Sequence, residues 1–283
     1  MKKEIVNSII NYIEDSLEVF RVDIDCLVKY SGYSRRQLQI IFREYAGLPL
    51  GEYIRLRRIC RGACLLRLTT LPLSEISNRL FYDSQQSFQR EFKKNTGVTP
   101  LKYRKQNMWG GGVAKLNTNL NYELSYQGVF FLESIEFSGR NIKYKDVIPY
   151  YGFCSGLKWD IISNWIEKSE EPIIMAYNIK LCLKPHNHVL IDSWIYMDKK
   201  ELSEKKLING GWYCLFNYTG SKESYQQAIS TLYVHFLSPR NLSRRVGYDI
   251  EVIQKKHDDT YSIEYFLPIA LCPQGEDVDL FVR

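Results

Sequence analysis

What is scarce in this 283-residue chain narrows its chemistry before any motif is read. It has four histidines, and His186 and His188 flank Asn187 with no third ligand or acidic partner at readable spacing. Two imidazoles alone do not make a tetrahedral metal centre; His235 and His257 stand by themselves. The seven cysteines (Cys26, Cys60, Cys64, Cys154, Cys182, Cys214, Cys272) are odd in number, scattered, and form no C-x-x-C pair. Reduced buried thiols are therefore expected, not a disulfide framework or a zinc ribbon. Cys60 and Cys64 lie one helical turn apart, which fits disulfide geometry poorly.

Other absences exclude more. No window approaches the ~20 apolar residues that span a bilayer, and the start, Met1-Lys2-Lys3-Glu4, runs into an amphipathic stretch, so no signal peptide is readable. Gly110–Gly112 lacks the following lysine and helix start of a phosphate-cradling loop, and no Gly-x-Ser-x-Gly elbow is present. No metal, cofactor or membrane partner is expected, and the expected setting is the cytoplasm, in association with the nucleoid.

What is present is a repeat. Tyr33-Ser34-Arg35-Arg36-Gln37-Leu38-Gln39-Ile40-Ile41-Phe42 runs on to Gly47 and Tyr53. Fifty positions later Tyr82-Asp83-Ser84-Gln85-Gln86-Ser87-Phe88-Gln89-Arg90-Glu91-Phe92 runs on to Gly97 and Tyr103. Each copy keeps a large apolar pair at i and i+4 and turns polar, cationic and amide side chains the other way. The repeat lies in the basic part of the chain. Residues 1–107 carry 19 Lys/Arg against 11 Asp/Glu, and residues 108–283 carry 19 against 21. A basic segment with two such helices fits a polyanion.

The surrounding pattern predicts an all-α first domain over 1–107. Ile5, Ile9, Ile13 and Leu17 mark a first helix. Val22–Tyr30, a turn at Gly32, and a helix capped by Ser34 make one helix-turn-helix unit. Leu50–Leu68, free of proline, reads as a joining helix of ~28 Å, comparable with the ~34 Å between successive major-groove faces. Pro72 and Ser74 open the second unit, Asp83/Ser84 cap its reading helix, and Thr99-Pro100 opens a closing helix. Residues 108–121, with Trp109-Gly110-Gly111-Gly112 and a polar run, read as a linker. Over 122–283 the runs Tyr122–Tyr126, Val129–Phe137, Ile173–Leu183, Val189–Met197, Trp212–Tyr218, Tyr248–Gln254 and Tyr261–Ile269 predict strands. Helices over 156–167 and 222–236 make this an α+β domain with an antiparallel sheet.

On the first reading helix Leu38, Ile41, Phe42 and Tyr45 point inward, leaving Arg36, Gln39, Ile40 and Arg43 outward, with Arg35 in the same DNA-binding set. On the second, Gln86, Gln89, Arg90 and Lys93 form the outward stripe. Arginine matches the O6/N7 edge of guanine, glutamine the N6/N7 edge of adenine, and Ile40 a thymine methyl. Gln85, Ser87, Lys94, Arg104 and Lys105 suit phosphates, which fix register without reading sequence.

Residues 1–107 resemble an AraC/XylS-type DNA-binding domain, closest to the Rob-like branch. The likeness is carried by Ala63…Leu65-Leu66-Arg67-Leu68-Thr69, Asp83-Ser84-Gln85-Gln86-Ser87-Phe88 with Phe92-Lys93-Lys94, and Thr99-Pro100…Tyr103-Arg104. The resemblance implies a monomer on double-stranded promoter DNA that docks two helices in adjacent major grooves and recruits RNA polymerase, usually as an activator. It places Arg36, Gln39 and Ile40 at the bases on the first helix, and Gln85, Gln86, Ser87 and Arg90 on the second. Three positions depart from it: Arg36 stands where Rob-like proteins have Trp, Ile40 where they have Arg, and Phe81 where the second turn often has Gly.

The second domain resembles the GyrI-like effector-binding fold through Gly210-Gly211-Trp212-Tyr213-Cys214-Leu215-Phe216…Tyr218-Thr219-Gly220, Gly247-Tyr248-Asp249-Ile250-Glu251 and Ile263-Glu264-Tyr265-Phe266-Leu267-Pro268-Ile269. That resemblance implies a central cleft in which Glu251 faces a small-molecule effector. A carboxylate among aromatics favours a cation or a hydrogen-bond donor, and Trp194, Tyr196, Trp212, Phe216 and Tyr218 are the candidate walls. The expectation is a regulator, not an enzyme. A nucleoid-type protein without a ligand, and a small-molecule hydrolase centred on Glu251, stand as alternatives.

Overall fold

The computed structural model describes residues 2–105, 124–147, 156–166, 171–182, 188–196, 204–232, 242–270 and 280–282. The expected glycine joint, His186, His235 and the end of the second predicted helix of the C-terminal part lie outside them.

The N-terminal region is helical: α1 (Lys2–Ser16), α2 (Ile24–Ser31), α3 (Arg35–Ala46), α4 (Leu50–Leu68), α5 (Leu73–Arg79), α6 (Gln85–Thr96) and α7 (Pro100–Lys105). Local chemistry fixes both reading helices in the same way. Ser34 accepts from the backbone N–H of Gln37, and Ser84 from that of Ser87, each within a reciprocal capping box. Gly47 and Gly97 end the two helices in the left-handed conformation, at φ 76° and 75°, which glycine adopts without a Cβ penalty. The core repeats too. Phe42 meets Tyr53 at a ring-centroid distance of 5.3 Å, and Phe92 meets Tyr103 at 5.3 Å, both edge to face.

The turns before the reading helices differ. Gly32 ends α2 at φ 70°, whereas the second turn sets Phe81 at φ 56°. The departure at Phe81 thus leaves the turn geometry standing: the Phe81 N–H donates to Asn78 and the Tyr82 N–H to Ser77. A bulky side chain there carries strain on the order of 1–2 kcal/mol.

Helix α4 is buried along most of its length, including Arg57 and Arg61. Arg57 pairs with Glu14 at 2.6 Å, and Arg61 with Glu18. These arginines, legible in sequence only as positive charge, tie α4 to the first helix and to the turn that follows it, and are unavailable to DNA. At Gly62 a Cβ would lie 2.9 Å from the Phe88 ring, so α4 approaches α6 as closely as it does because this residue has no side chain.

The C-terminal domain is a curled sheet with two described helices: β1 (Leu124–Leu132), β2 (Ile135–Val147), α8 (Gly156–Ile166), β3 (Ile173–Leu181), β4 (His188–Tyr196), β5 (Glu204–Ile208), β6 (Gly211–Gly220), α9 (Lys222–Leu232), β7 (Ser243–Arg244), β8 (Asp249–Lys255), β9 (Tyr261–Ala270) and β10 (Leu280–Val282). The strand order is β10-β1-β6-β9-β8-β3-β4-β2-β5, with β7 beside β9. All described pairings are antiparallel except β1 with β10. The α+β expectation holds, but the strand bounds differ. From Leu124 to Leu132, β1 joins the runs expected at Tyr122–Tyr126 and Val129–Phe137; the expected Val129–Phe137 strand is broken after Leu132, β2 starts at Ile135 and runs on to Val147, and β5, β7 and β10 are additions. One face of the sheet packs with Trp159 and Ile162 of α8 and Tyr225, Ala228 and Leu232 of α9. The other carries a smaller cluster built on Phe137, Ala176, Trp194, Ile208, Tyr213 and Ile250. Val189 of β4 is buried in the helical region's apolar cluster, with Ile179 and Ile191 against both clusters.

Candidate nucleic-acid interface and effector site

The capped helix α3 buries Leu38, Ile41, Phe42 and Ala46 and leaves Arg35, Arg36, Gln39, Ile40 and Arg43 exposed. Ile40 is 57% exposed, although its helix has an apolar face on which an isoleucine would otherwise sit. On α6, Phe88, Phe92 and Thr96 are buried, and Gln85, Gln86, Arg90, Lys93 and Lys94 are exposed, with Gln89 half-buried. Both outward stripes are therefore assembled as the periodicity predicts. The position of α6 is further held by an ion pair from Arg55 Nε to Glu91 at 3.1 Å.

Three members of the predicted set are engaged otherwise. The Ser87 hydroxyl closes the capping box, donating to the Ser84 carbonyl at 2.8 Å and accepting from the Ser84 N–H at 3.2 Å, so it does not project as a base or phosphate contact. Arg104 donates from Nε to the Leu66 carbonyl (3.2 Å) and from Nη2 to the Leu71 carbonyl (2.6 Å); it neutralises the C-terminal carbonyl end of α4 in place of a phosphate. Arg35 pairs with Asp25 across the turn, with both side chains largely exposed, a bond that water weakens and a phosphate can replace. Burial pushes the Cys60 thiol up to about 12 and raises Cys64 as well; protonated thiols are poor nucleophiles.

In the sheet domain the site is built around Glu251 of β8, which has no exposed surface. Its register partners are Met175 on β3 and Tyr265 on β9, so it stands on the face packed with α8 and α9. Oε1 accepts from Lys158 Nζ at 2.7 Å and from the Tyr177 and Tyr225 hydroxyls, both at 2.9 Å; Oε2 accepts from Lys158 Nζ at 2.6 Å. The ammonium lies 5.1 Å from the Tyr177 ring centre, 5.4 Å from Tyr225 and 6.0 Å from Trp159. The Lys158 ammonium thus rests on a carboxylate that also has two hydroxyl donors, with aromatic rings within cation–π range.

The five predicted walls divide by strand phase. Phe216 pairs with Tyr265, and Trp212 and Tyr218 share its face by the two-residue period; Tyr218 also meets Tyr225 at 5.1 Å. These three share the sheet face of Glu251. Trp194 pairs with Ala176, which pairs with Ile250, the neighbour of Glu251 on β8. Trp194 and Tyr196 therefore project from the opposite face, where Tyr196 meets Phe137, and neither lines the Glu251 site. Sequence reasoning missed Lys158, Tyr177 and Tyr225. The signal for Lys158 was faint: a single cation in Gly156-Leu157-Lys158-Trp159, one helical turn before buried Ile162.

The comparisons with known proteins agree with this division. A helix-turn-helix domain family model matches residues 27–106, and a GyrI-like small molecule binding domain model matches residues 184–270. Over 270 residues, 95% of this chain and 89% of the relative, the sequence is 38% identical to the F1 operon positive regulatory protein of Yersinia pestis. It is 26% identical to the right origin-binding protein of Escherichia coli (strain K12) over 87% of this chain and 89% of the relative. Over 38% of the chain and 45% of the relative it is 45% identical to the putative HTH-type transcriptional regulator YkgA of Escherichia coli (strain K12). The chain thus belongs to the AraC/XylS-type transcription regulators that carry a C-terminal GyrI-like domain.

Proposed function

We propose that this regulator reads promoter DNA with α3 and α6, activates transcription by recruiting RNA polymerase as a monomer, and is modulated by a small molecule seated at Glu251. In this reading residues 1–107 form the DNA-binding domain, 108–121 the linker and 122–283 the effector domain. One observation carries the DNA part: two helices of equal length, equal capping and fifty-residue offset expose Arg36, Gln39, Ile40 and Arg43 on one, and Gln86, Arg90 and Lys93 on the other. Gln85 and Lys94 flank the second stripe as phosphate contacts, and Gln89 contributes from its half-buried position. Ile40 and Arg36 give the first helix a base preference of its own, with the isoleucine on a thymine methyl.

Activation is supported by the name of the F1 operon positive regulatory protein, which the chain resembles over most of its length. Effector modulation is supported by the match to the small molecule binding domain and by the saturated carboxylate at its centre. The hydrolytic alternative also rested on Glu251. Three groups already donate to that carboxylate, an arrangement that favours binding over proton transfer.

The test is base-resolved binding on a site obtained by selection from random DNA. Arg90→Ala is expected to cost ~1–3 kcal/mol and to relax preference at one base pair, while Lys94→Ala weakens binding evenly across sequences and lowers the salt slope by about one. An equal loss on all sequences for Arg90→Ala would remove its base-reading role. Glu251→Gln leaving every transcriptional response to added effectors unchanged would remove the effector seat.

A further inference from the structure

The sheet face that α8 and α9 cover runs on past both helices. Glu251 pairs with Met175, and Met175 with Ile195, so the two-residue period puts Tyr177 and Ile179 of β3, with Val189 and Ile191 of β4, on that same face. Ile179 and Ile191 are register partners. Left open, three β-branched apolar side chains here would make an exposed apolar patch on the sheet. They are not left open. Val189 has no exposed surface and belongs to the apolar core of the helical region, while Ile179 and Ile191 pack against that core and against the sheet domain's own. The helical region thus does for this part of the face what α8 and α9 do for the rest. Tyr177, two positions before Ile179, donates its hydroxyl to Glu251 at 2.9 Å. One strand therefore carries both a donor to the buried carboxylate and an apolar contact to the helical core.

We infer that Ile179, Val189 and Ile191 form a docking surface for this chain's own helical region: Val189 completes the helical core, and the two parts of the chain are linked in stability through it. Opening either part exposes the apolar surface they share, so the two lose structure together. A ligand that binds only the folded helical region stabilises every element whose opening requires that region to open. DNA bound by α3 and α6 therefore protects β3 and β4, and a change at Val189 alters DNA affinity in return. The DNA part of this inference rests on the reading of α3 and α6 as the DNA-contacting helices; the docking itself does not.

Two signals follow the two parts separately in the full chain. Four of the five tryptophans (Trp159, Trp165, Trp194 and Trp212) belong to the sheet domain and residues 2–105 have none, so fluorescence reports the sheet domain, whereas far-ultraviolet ellipticity reports mainly the helices. In urea the two signals are expected to fall together for the native chain. For Val189→Asp they are expected to separate, with the helical signal lost at lower urea. Leu190→Asp, one position along and on the opposite face, is expected to keep them together. Separate transitions in the native chain, or the same behaviour in both variants, would overturn the docking. Val189→Ala adds no charge and serves if the aspartate variant fails to fold, with a smaller separation in the same direction. Amide exchange read by mass spectrometry tests the linkage to DNA. A saturating duplex obtained by selection is expected to slow exchange severalfold in α4, β3 and β4 of the native chain, and in α4 alone of the Val189 variant. Slowing confined to α4 in the native chain would overturn the linkage. No slowing in any of the three would overturn the DNA reading, with the docking still decided by the urea result.

Discussion

Two buried carboxylates in this chain are answered by the same kinds of group and held to different ends. Glu14 of α1 accepts from Arg57 Nε at 2.6 Å, from Arg57 Nη2 at 2.8 Å and from the Tyr53 hydroxyl at 3.1 Å. Glu251 accepts from an ammonium and two tyrosine hydroxyls. Around Glu14 the cation is a planar fork fixed by two parallel bonds on a helix buried along most of its length, and its side chain is 1% exposed. Around Glu251 it is a flexible point charge whose side chain is 11% exposed. A guanidinium in that setting locks two helices together, whereas an ammonium is a compact charge on a flexible stem that needs no fixed fork. Burial and pairing alone do not distinguish a brace from a binding site. The access of the cation and the hydrogen bonds that survive its departure do.

The contrast can be broken at either end. Arg57→Ala leaves Glu14 buried with one hydroxyl donor and is expected to cost ~3–5 kcal/mol in urea unfolding; a loss below about 1 kcal/mol would mean that water reaches Glu14 and the brace is no brace. Lys158→Ala should cost less, ~1–2 kcal/mol, because two hydroxyls still donate to Glu251. Equal costs for the two changes would erase the distinction.

The rigidity of the helical region can be tested apart from its charges. Gly62→Ala forces a methyl against the Phe88 ring and is expected to cost ~1–3 kcal/mol, with DNA binding impaired beyond the loss of folded protein as α6 shifts. Removing one cap is a milder intervention: Ser34→Ala or Ser84→Ala should each cost ~1 kcal/mol, read from thermal unfolding. The smallest effect concerns Asp23. The Cys26 backbone N–H holds its carboxyl below the usual range, so its contribution is present above about pH 4 and is lost as pH falls through the lowered folded value. Asp23→Asn should keep the cap and remove that acid dependence.

The helical region was legible because its signals are local. Ser34, Ser84, Gly47 and Gly97 act within a few residues of the ends they define, and both outward stripes follow from 3.6-residue periodicity. The sheet domain was less so. Its strand β2 runs through Ser138-Gly139-Arg140-Asn141, past Phe137 where the expected run ends, and Gly139 is needed there because a Cβ would collide with the Ile195 carbonyl. The edge strand β5, rich in charge, lacks an apolar alternation. Trp194 and Tyr196 were assigned to the wrong face because strand phase relative to Glu251 depends on register, which non-local pairing sets. Lys158 was hidden for the same reason. It lies 93 positions from its partner, and its own helix turn offers no reason for it. Ser87 and Arg104 carried residue types that suit DNA, and only their partners showed them to be capping groups.

The braced α4 has a mechanical consequence for the promoter. Arg57 binds it to Glu14 of α1 and Arg61 to Glu18 in the turn after α1, Gly62 seats it on Phe88, and Arg55 ties it to Glu91 of α6. The distance and rotation between the two reading helices are therefore set by the protein, like the jaws of a fixed-span caliper. In the proposed docking of both helices, one extra base pair between the two recognised segments rotates one of them by about 34–36°, and the DNA, not the protein, would have to absorb that angle by untwisting. Promoters for this regulator should tolerate spacing errors only where the intervening steps are soft, so that the stretch between its contacts is selected for compliance.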